Sequence, residues 1–445
     1  MSFNVSESFD VIVFGGGIAG MQSALDLADQ DYKVAIIEKD ASIGGKMVRL
    51  DKVFPTLDCA SCITTPKMAS VAHHRNISIF TLCELAKLEK DDAGFRAKII
   101  RKPRYVNQET CIGCRQCEYA CPVMAPDNDQ MGLTARKAIY IPFTNAIPQV
   151  ALLDTESCVL CGRCEKVCPT NAVNYYDREE YIDLSAKACI VSTGYQLLTD
   201  FATRVYGEPA QNPNIIDALQ LERILAPTGP YMEMLRPGDG KEPESVAFIQ
   251  CAGSRDQTNG VGYCSRVCCM YAIKNALLIQ QELPETKVTI FYIDMRAFGK
   301  NYEQFFQNAK AKGIRFVKAK PVIHSRGEND SVILRYEDQE GDGRNILEEF
   351  DMAVMSLAIL PAWNPSETMD LPVAEDNFLK APFPKMAPAL TGREGIFMAG
   401  VVSGPKDIVD SIVEAGAAAM EASNYLKAID ALRAARSTRI VASNI

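Results

Sequence analysis

The sequence lacks any excess of positive charge. Its formal net charge is −9 at pH 7, and it gathers no basic footprint of the kind that holds a phosphate backbone, which excludes nucleic acid as a partner. It also lacks long apolar runs: none approaches the roughly 20 residues that a membrane span requires. The opening residues, MSFNVSESFD, have neither the basic n-region nor the apolar h-region of a signal peptide. A cytoplasmic protein with no membrane span is expected. Histidine is scarce. His73, His74 and His324 form no ligand pattern, and His73–His74 reads as a loop feature or a partner contact. The apolar and charged fractions, 47% and 23%, are those of an ordinary soluble protein. A chain of 445 residues is long enough for two or three domains with cores of their own.

Cysteine, by contrast, is plentiful. Sixteen residues in a reducing compartment argue for metal clusters over disulfides. The stretch CIGCRQCEYACP supplies Cys111, Cys114, Cys117 and Cys121, and CVLCGRCEKVCP supplies Cys158, Cys161, Cys164 and Cys168. Each reads C-x2-C-x2-C-x3-C-P, the run of bacterial two-cluster ferredoxins. Three thiolates of one loop hold three irons of a cubane, and the fourth cysteine ligates the other cluster. The expected sets are Cys111, Cys114, Cys117 and Cys168 for one [4Fe-4S] cluster, and Cys158, Cys161, Cys164 and Cys121 for the other. Zinc is the competing reading; the duplicated motif argues against it.

The N-terminal part reads as a nucleotide-binding βαβ unit. Residues 11–14 form an apolar, β-branched strand, followed by G-x-G-x-x-G at Gly15, Gly17 and Gly20. A helix with helical apolar spacing comes next, then a strand over 34–37 that ends in Glu38. The glycines let the backbone turn tightly and approach a pyrophosphate, and the helix N-terminus supplies donors and a positive dipole end. Glu38 is placed to accept from ribose hydroxyls.

The dinucleotide is read from resemblance. KDASIGGKM after Glu38, ACIVSTGY at 188–195, and GIFMAGVVSGPKDIVDSIVEAGAAAMEASNYL near the end resemble the three FAD segments of two-dinucleotide-fold flavoproteins. The resemblance implies FAD contacts at Glu38, Lys39, Gly45 and Lys46, at Thr193 and Gly194, and at Gly400, Asp407 and Ile408. One position departs. The family carries Asp after the glycine of its AGD segment, and this chain has Val401, so polar contacts there are expected from backbone donors over 403–407. A site for NAD alone is the competing reading.

The second half opens with the strand SVAFIQCAGS. In pyridine-nucleotide-dependent flavoproteins such a strand leads into a second glycine-rich loop, and none follows here. Cys251 follows instead, then a polar excursion, then Cys264, Cys268 and Cys269 at the start of a helix. Cys264 and Cys268 are one turn apart. The spacing C-x12-C-x3-C-C, with YCSRVCCMYAIK, FYIDMRAFGK, DCASC and GPKDIVDS, resembles the HdrA family, the A-type subunits of heterodisulfide reductase, over about residues 8–428. The resemblance implies that Cys251, Cys264, Cys268 and Cys269 bind a non-standard [4Fe-4S] cluster near the flavin. It also implies that Lys274 lies near the flavin N5; a solvated surface lysine is the alternative. Because the chain begins almost at its flavin strand, it resembles short forms, such as the related subunits of quinone-interacting oxidoreductases and class II benzoyl-CoA reductase complexes.

The CxxC of DCASC, Cys59 and Cys62, has three readings: ligands of a fourth cluster completed elsewhere, a redox-active dithiol, or structural thiols. Cys83 and Cys189 read as core. The fold expected is α/β, a thioredoxin reductase-like two-dinucleotide-domain flavoprotein with an inserted two-cluster ferredoxin domain. Its expected segments are 1–102 (FAD domain), 103–178 (ferredoxin insertion), 179–243 (FAD domain and connector), 244–358 (degenerate nicotinamide-type domain carrying a cluster), 359–430 (last FAD segment) and 431–445 (tail). The expected function is an electron-transfer subunit carrying FAD and three [4Fe-4S] clusters. Its expected partners are HdrB- and HdrC-like chains and a hydrogenase, dehydrogenase or ferredoxin-type donor, around a homodimeric core. Electron bifurcation at the flavin is one mode. A non-bifurcating input subunit is another, and a self-contained NAD(P)H-dependent disulfide reductase using Cys59 and Cys62 is a third.

Overall fold

The computed structural model describes residues 6–339 and 341–443. Residues 1–5, where the signal-peptide question falls, and 444–445, the end of the expected tail, lie outside the described residues. Two sheets carry the molecule. The first has seven strands, in the order Ile77–Thr81, Val34–Glu38, Ser6–Phe14, Glu180–Val191, Gly94–Arg101, Cys83–Asp91, with Ile396–Met398 also paired to Glu180–Val191. Along Ser6–Phe14, Val11 and Val13 enter the core on one face while Ile12 and Phe14 enter the core on the other. That period of two with both faces buried is what a covered parallel sheet requires. On one face, the helix Ile18–Ala28 packs against the last helix, Ile408–Ser443. Ala415, Ala418, Ala419 and Ala422 form the contact stripe, and their small size lets the two backbones approach. The last helix runs without a break through the described part of 431–445, so those residues extend it and do not form a separate tail.

The strand Glu180–Val191 switches partners along its length. Its first half pairs antiparallel with Gly94–Arg101, placing Glu180 opposite Arg101. Its last residues pair parallel with Ile396–Met398. The ferredoxin segment therefore leaves and returns at two facing residues of one antiparallel pair. Asp177 clasps both stems: it accepts from Arg101 Nη2 at 3.1 Å, from the Arg104 amide at 2.8 Å and from the Tyr105 amide at 3.2 Å. The insertion has its own small core, built on Val106, Ala138, Ile139, Ile141, Ala151 and Ala172 with Cys121 and Cys164.

The second sheet is wholly parallel, in the order Ile215–Asp217, Met352–Leu357, Ser245–Ala252, Lys287–Tyr292, Arg315–Lys318. Its first strand, and the helix Ala218–Leu225 after it, lie before residue 244. The sequence places that stretch in the FAD domain's continuation and connector, but Ile216, Leu221 and Ile224 bury into the core of the second sheet. A short antiparallel pair, Tyr195–Leu197 with Ile359–Pro361, links the two domains. Among the described residues no helix is long and apolar enough to cross a membrane.

Candidate functional site

A cavity of about 520 Å³ opens where the two domains meet. Gly15, Gly17, Glu38, Lys39, Gly45, Lys46, Thr193, Gly194, Gly400, Asp407 and Ile408 all line it. Gly20 does not; it lies beneath the turn, where a Cβ would sit 1.9 Å from the Gly15 carbonyl oxygen. A Cβ on Gly15, whose φ is +107°, would meet the Ser192 carbonyl oxygen at 2.4 Å. Gly17 faces open space, so its backbone is free for close approach by a phosphate. Thr193 Oγ1 is buried at the rim with no hydrogen-bond partner, an orphan that a ligand hydroxyl or phosphate oxygen would satisfy. These features fit an elongated dinucleotide.

Glu38 is buried, with its carboxylate accepting from the Gly16 amide at 2.7 Å and the Asp40 amide at 2.9 Å. Burial pushes its pKa up to about 7. Burial lowers that of Lys46, whose ammonium stands over the Tyr195 ring. Val401 lines the cavity without an acid, and the nearby Glu414, which is not among the lining residues, instead ties the loop together. Glu414 accepts from the Gly400 amide at 3.2 Å and from Lys406 Nζ at 2.6 Å, and Lys406 also donates to Ser403 Oγ at 2.7 Å. Asp407 accepts from the Asp410 amide at 2.8 Å and from the Tyr302 hydroxyl at 2.9 Å.

Lys274 lines the same cavity and is 1% exposed, which rules out a solvated surface lysine. Its Nζ donates to Glu222 Oε1 at 2.5 Å, and Glu222 Oε2 accepts from the Asp51 amide at 3.1 Å. Glu222, Tyr271, Val267, Arg49 and Lys406 are cavity residues that no sequence motif marks; they converge from distant segments.

The four thiols of Cys251, Cys264, Cys268 and Cys269 enclose a second, small pocket together with Ser254, Arg255, Ser265, Arg266, Asp294 and Arg296. The polar excursion between the first two cysteines closes on itself. Val261 N–H donates to the Gly253 carbonyl at 2.7 Å, and the Asp256 carboxylate takes the Thr258 and Asn259 amides at 3.0 Å. A Cβ at Gly260 would lie 2.0 Å from the Gly253 carbonyl oxygen. Ser254 and Ser265 hydroxyls meet at 2.7 Å, which brings Cys264 back beside Cys251. Burial raises the Cys251 and Cys268 thiols above the ordinary range and Cys269 to about 11, a cost that a bound cation would offset by holding thiolates. The helix Cys268–Glu282 starts between the two sites. Val267 and Tyr271 line the large cavity, while Cys268 and Cys269 line the thiol pocket.

In the insertion, Cys111, Cys114, Cys117 and Cys168 line one small pocket. The helices Gln116–Ala120 and Arg163–Val167, which carry Cys117 and Cys164, pack together. Cys121 and Cys164 are buried in the same core, Cys158 packs against it, and Cys161 is exposed. Backbone amides already point at sulfur: Ala172 N–H to Cys168 Sγ at 3.2 Å and Leu160 N–H to Cys158 Sγ at 3.4 Å. Among the described residues no group of three or more His, Cys, Asp or Glu closes on a single metal ion.

Cys59 and Cys62 line neither the large cavity nor a thiol pocket. Cys59 caps the helix Ala60–His73, its Sγ accepting from the Cys62 amide at 3.2 Å, and Cys62 is exposed. Cys83 and Cys189 are both core residues, as expected, and Cys83 also reaches the wall of the large cavity. His73 and His74 close the helix Ala60–His73, and His74 meets Asp29 at 3.4 Å.

Residues 110–172 match the 4Fe-4S dicluster domain family, and residues 10–49 match the FAD binding domain family. Relatives match over most of the chain. The A-type subunit (HdrA) of the H(2):CoB-CoM heterodisulfide,ferredoxin reductase of Methanothermobacter marburgensis is 40% identical over 94% of this chain and 64% of its own length. The iron-sulfur A-type subunit of the CoB–CoM heterodisulfide reductase of Methanocaldococcus jannaschii is 43% identical over 92% of this chain and 63% of its own. Over nearly its whole length the chain is similar to the A subunits of heterodisulfide reductases. It spans just under two thirds of those relatives. Among solved structures, the thioredoxin reductase of T. acidophilum covers 95% of this chain with 99% of its own, at TM-score 0.53 and 16% identity. That of Lactococcus lactis covers 94% and 99%, at TM-score 0.53 and 13% identity. These two bear on the fold alone and establish the thioredoxin reductase-like architecture.

Proposed function

We propose that this chain is an electron-transfer subunit that binds FAD in the interdomain cavity and three [4Fe-4S] clusters, within a multi-subunit complex resembling heterodisulfide reductase. Bound there, FAD would interconvert two-electron and one-electron transfers, and the clusters would carry single electrons. The chain's own work is position and electrostatics. Residues 15–20 and the first helix hold the pyrophosphate, and Glu38 takes the adenosine ribose. Lys274, held by Glu222, presents a fixed ammonium to the cavity. Cys251, Cys264, Cys268 and Cys269 hold one cluster. Cys111, Cys114, Cys117 and Cys168 hold the second, and Cys158, Cys161, Cys164 and Cys121 the third.

The observation that carries this reading is the start of the helix Cys268–Glu282. One turn of backbone presents Val267 and Tyr271 to the flavin cavity and Cys268 and Cys269 to the thiol pocket, so an electron crossing between them passes through only a few side chains. The partners proposed are HdrB- and HdrC-like chains and a low-potential donor, around a homodimeric core. Cys59 and Cys62 do not line the cavity, although Cys59 is bridged to Lys52 of its wall, and this favours the relay over a self-contained disulfide reductase.

Anaerobically purified protein should carry about twelve irons per FAD, from three cubanes of four irons each. Cys268→Ala should lower that to about eight while FAD and the insertion's clusters stay. About eight irons in the parent protein would remove the cluster at Cys251, and about sixteen would make Cys59 and Cys62 ligands. An unchanged iron content in Cys268→Ala would reduce the paired cysteines to core residues.

A further inference from the structure

We propose that a cage of three arginines around the four-thiol pocket sets the reduction potential of the cluster held there, with Arg255 and Asp294 acting in opposite directions. The inference rests on the reading that these thiols bind a cluster.

The pocket wall carries Arg255, Arg266 and Arg296. Arg255 lines the pocket beside Cys251, and its guanidinium is gripped at both ends by Asp294, at 2.6 and 3.1 Å. Asp294 also takes Arg296 Nε at 3.2 Å, and its carbonyl oxygen lies 3.9 Å from the Cys269 sulfur. Arg266 is fixed differently. It donates to the Pro405 carbonyl at 3.2 Å, stands over the Phe298 ring at 5.2 Å and pairs with Asp410 at 3.4 Å. Its amide points at Cys264 Sγ at 3.3 Å. Three guanidinium groups against Asp294 and Asp410 leave one net positive charge, in a chain whose total is −9.

The chemistry comes from that placement. One-electron reduction of a cluster with four thiolates adds one negative charge and forms no bond. Fixed positive charge and N–H···S donors favour the reduced state and raise the potential; the main levers on it are net charge, hydrogen bonds to sulfur and exposure. Burial of Cys251, Cys268 and Cys269 works the other way, because it removes water that would otherwise solvate the added charge. The arginine side chains are 23%, 41% and 42% exposed, so solvent screens part of their field and the shifts they cause are moderate. A guanidinium does not release its proton in a protein, so the cage is constant across pH. The insertion's pocket contrasts with this one. Its wall is largely apolar, and its single arginine, Arg115, is neutralised by Glu118 at 3.1 Å.

The test is an EPR-monitored redox titration of the anaerobic holoprotein, following the signal that Cys268→Ala removes. Arg255→Gln should shift its midpoint to lower potential, Asp294→Asn should shift it to higher potential, and Arg255→Lys should fall between the parent and Arg255→Gln. Structural damage would not give opposite signs for the two partners of one ion pair. If Arg255→Gln loses the cluster, Asp294→Asn decides alone: an unchanged or lowered midpoint overturns the proposal. Midpoints that stay put in all three variants, with iron content intact, also overturn it. A parent protein with no such signal would sink the cluster assignment itself and not the cage.

Discussion

Glu38 shows what one buried carboxyl does to a nucleotide site. Its two amide donors orient it toward the cavity, and the same burial that orients it raises its pKa from 4.5 to about 7. Between those values the folded chain holds a proton that the unfolded chain has released. The contribution to stability is complete below about 4.5 and is lost as the pH rises through about 7. The full difference is roughly 3 kcal/mol. Urea unfolding of the FAD-free protein from pH 5 to 8 should therefore show a decline that Glu38→Gln removes, at the expense of a lower plateau below pH 5. Equal slopes in the two proteins would mean that the carboxyl titrates normally. Ribose hydroxyls donating to the carboxylate would favour its charged form, so the decline should also weaken when FAD is bound.

At the scale of elements, the pairing of Arg101 with Glu180 makes the ferredoxin segment the loop of a hairpin. A tight Asn-Gly turn is the natural closure for two facing antiparallel strands. Replacing residues 102–179 by Asn-Gly should leave a chain that folds, binds FAD and keeps only the iron held at Cys251, Cys264, Cys268 and Cys269, about four per chain. It should be less stable than the parent. Arg104 would no longer bond the Ala41 carbonyl and Thr81, and the Arg49–Asp129 pair and the Arg223–Gln130 bond would be lost. Iron and FAD analysis of the excised protein checks this. An insoluble product, or one without FAD, would show that the insertion is part of the flavin domain's fold and not an addition to it.

For the whole molecule, the decisive feature is the segment at the end of the strand Ser245–Ala252. In place of a second glycine fingerprint stands Cys251, at φ +57°, leading into a loop that folds back on itself. No cradle for a second pyrophosphate remains at that sheet edge. Stopped-flow mixing of the holoprotein with NADH or NADPH should leave the flavin absorbance unchanged on the timescale of turnover. Rapid, saturable bleaching by either nucleotide would replace the relay with a self-contained reductase.

The sequence by itself determined the kind of protein this is. The glycine turn with its acid, the two C-x2-C-x2-C-x3-C-P runs and the flavin segments are local patterns, because tight turns and cluster loops need particular residues at fixed spacing. The thioredoxin reductase-like α/β architecture with a ferredoxin insertion was legible for the same reason. Tertiary structure decided what depends on segments meeting. It took Lys274 out of solvent by bringing Glu222 to it from 52 residues away, and it assigned Ile215–Asp217 to the second sheet through pairing with a strand far along the chain. It put Cys83 in the cavity wall, and it set Arg255, Asp294 and Arg296 around the thiols. None of these has a local signature. A buried ion pair or a charge cage is defined by distance and dielectric, which spacing along the chain does not encode.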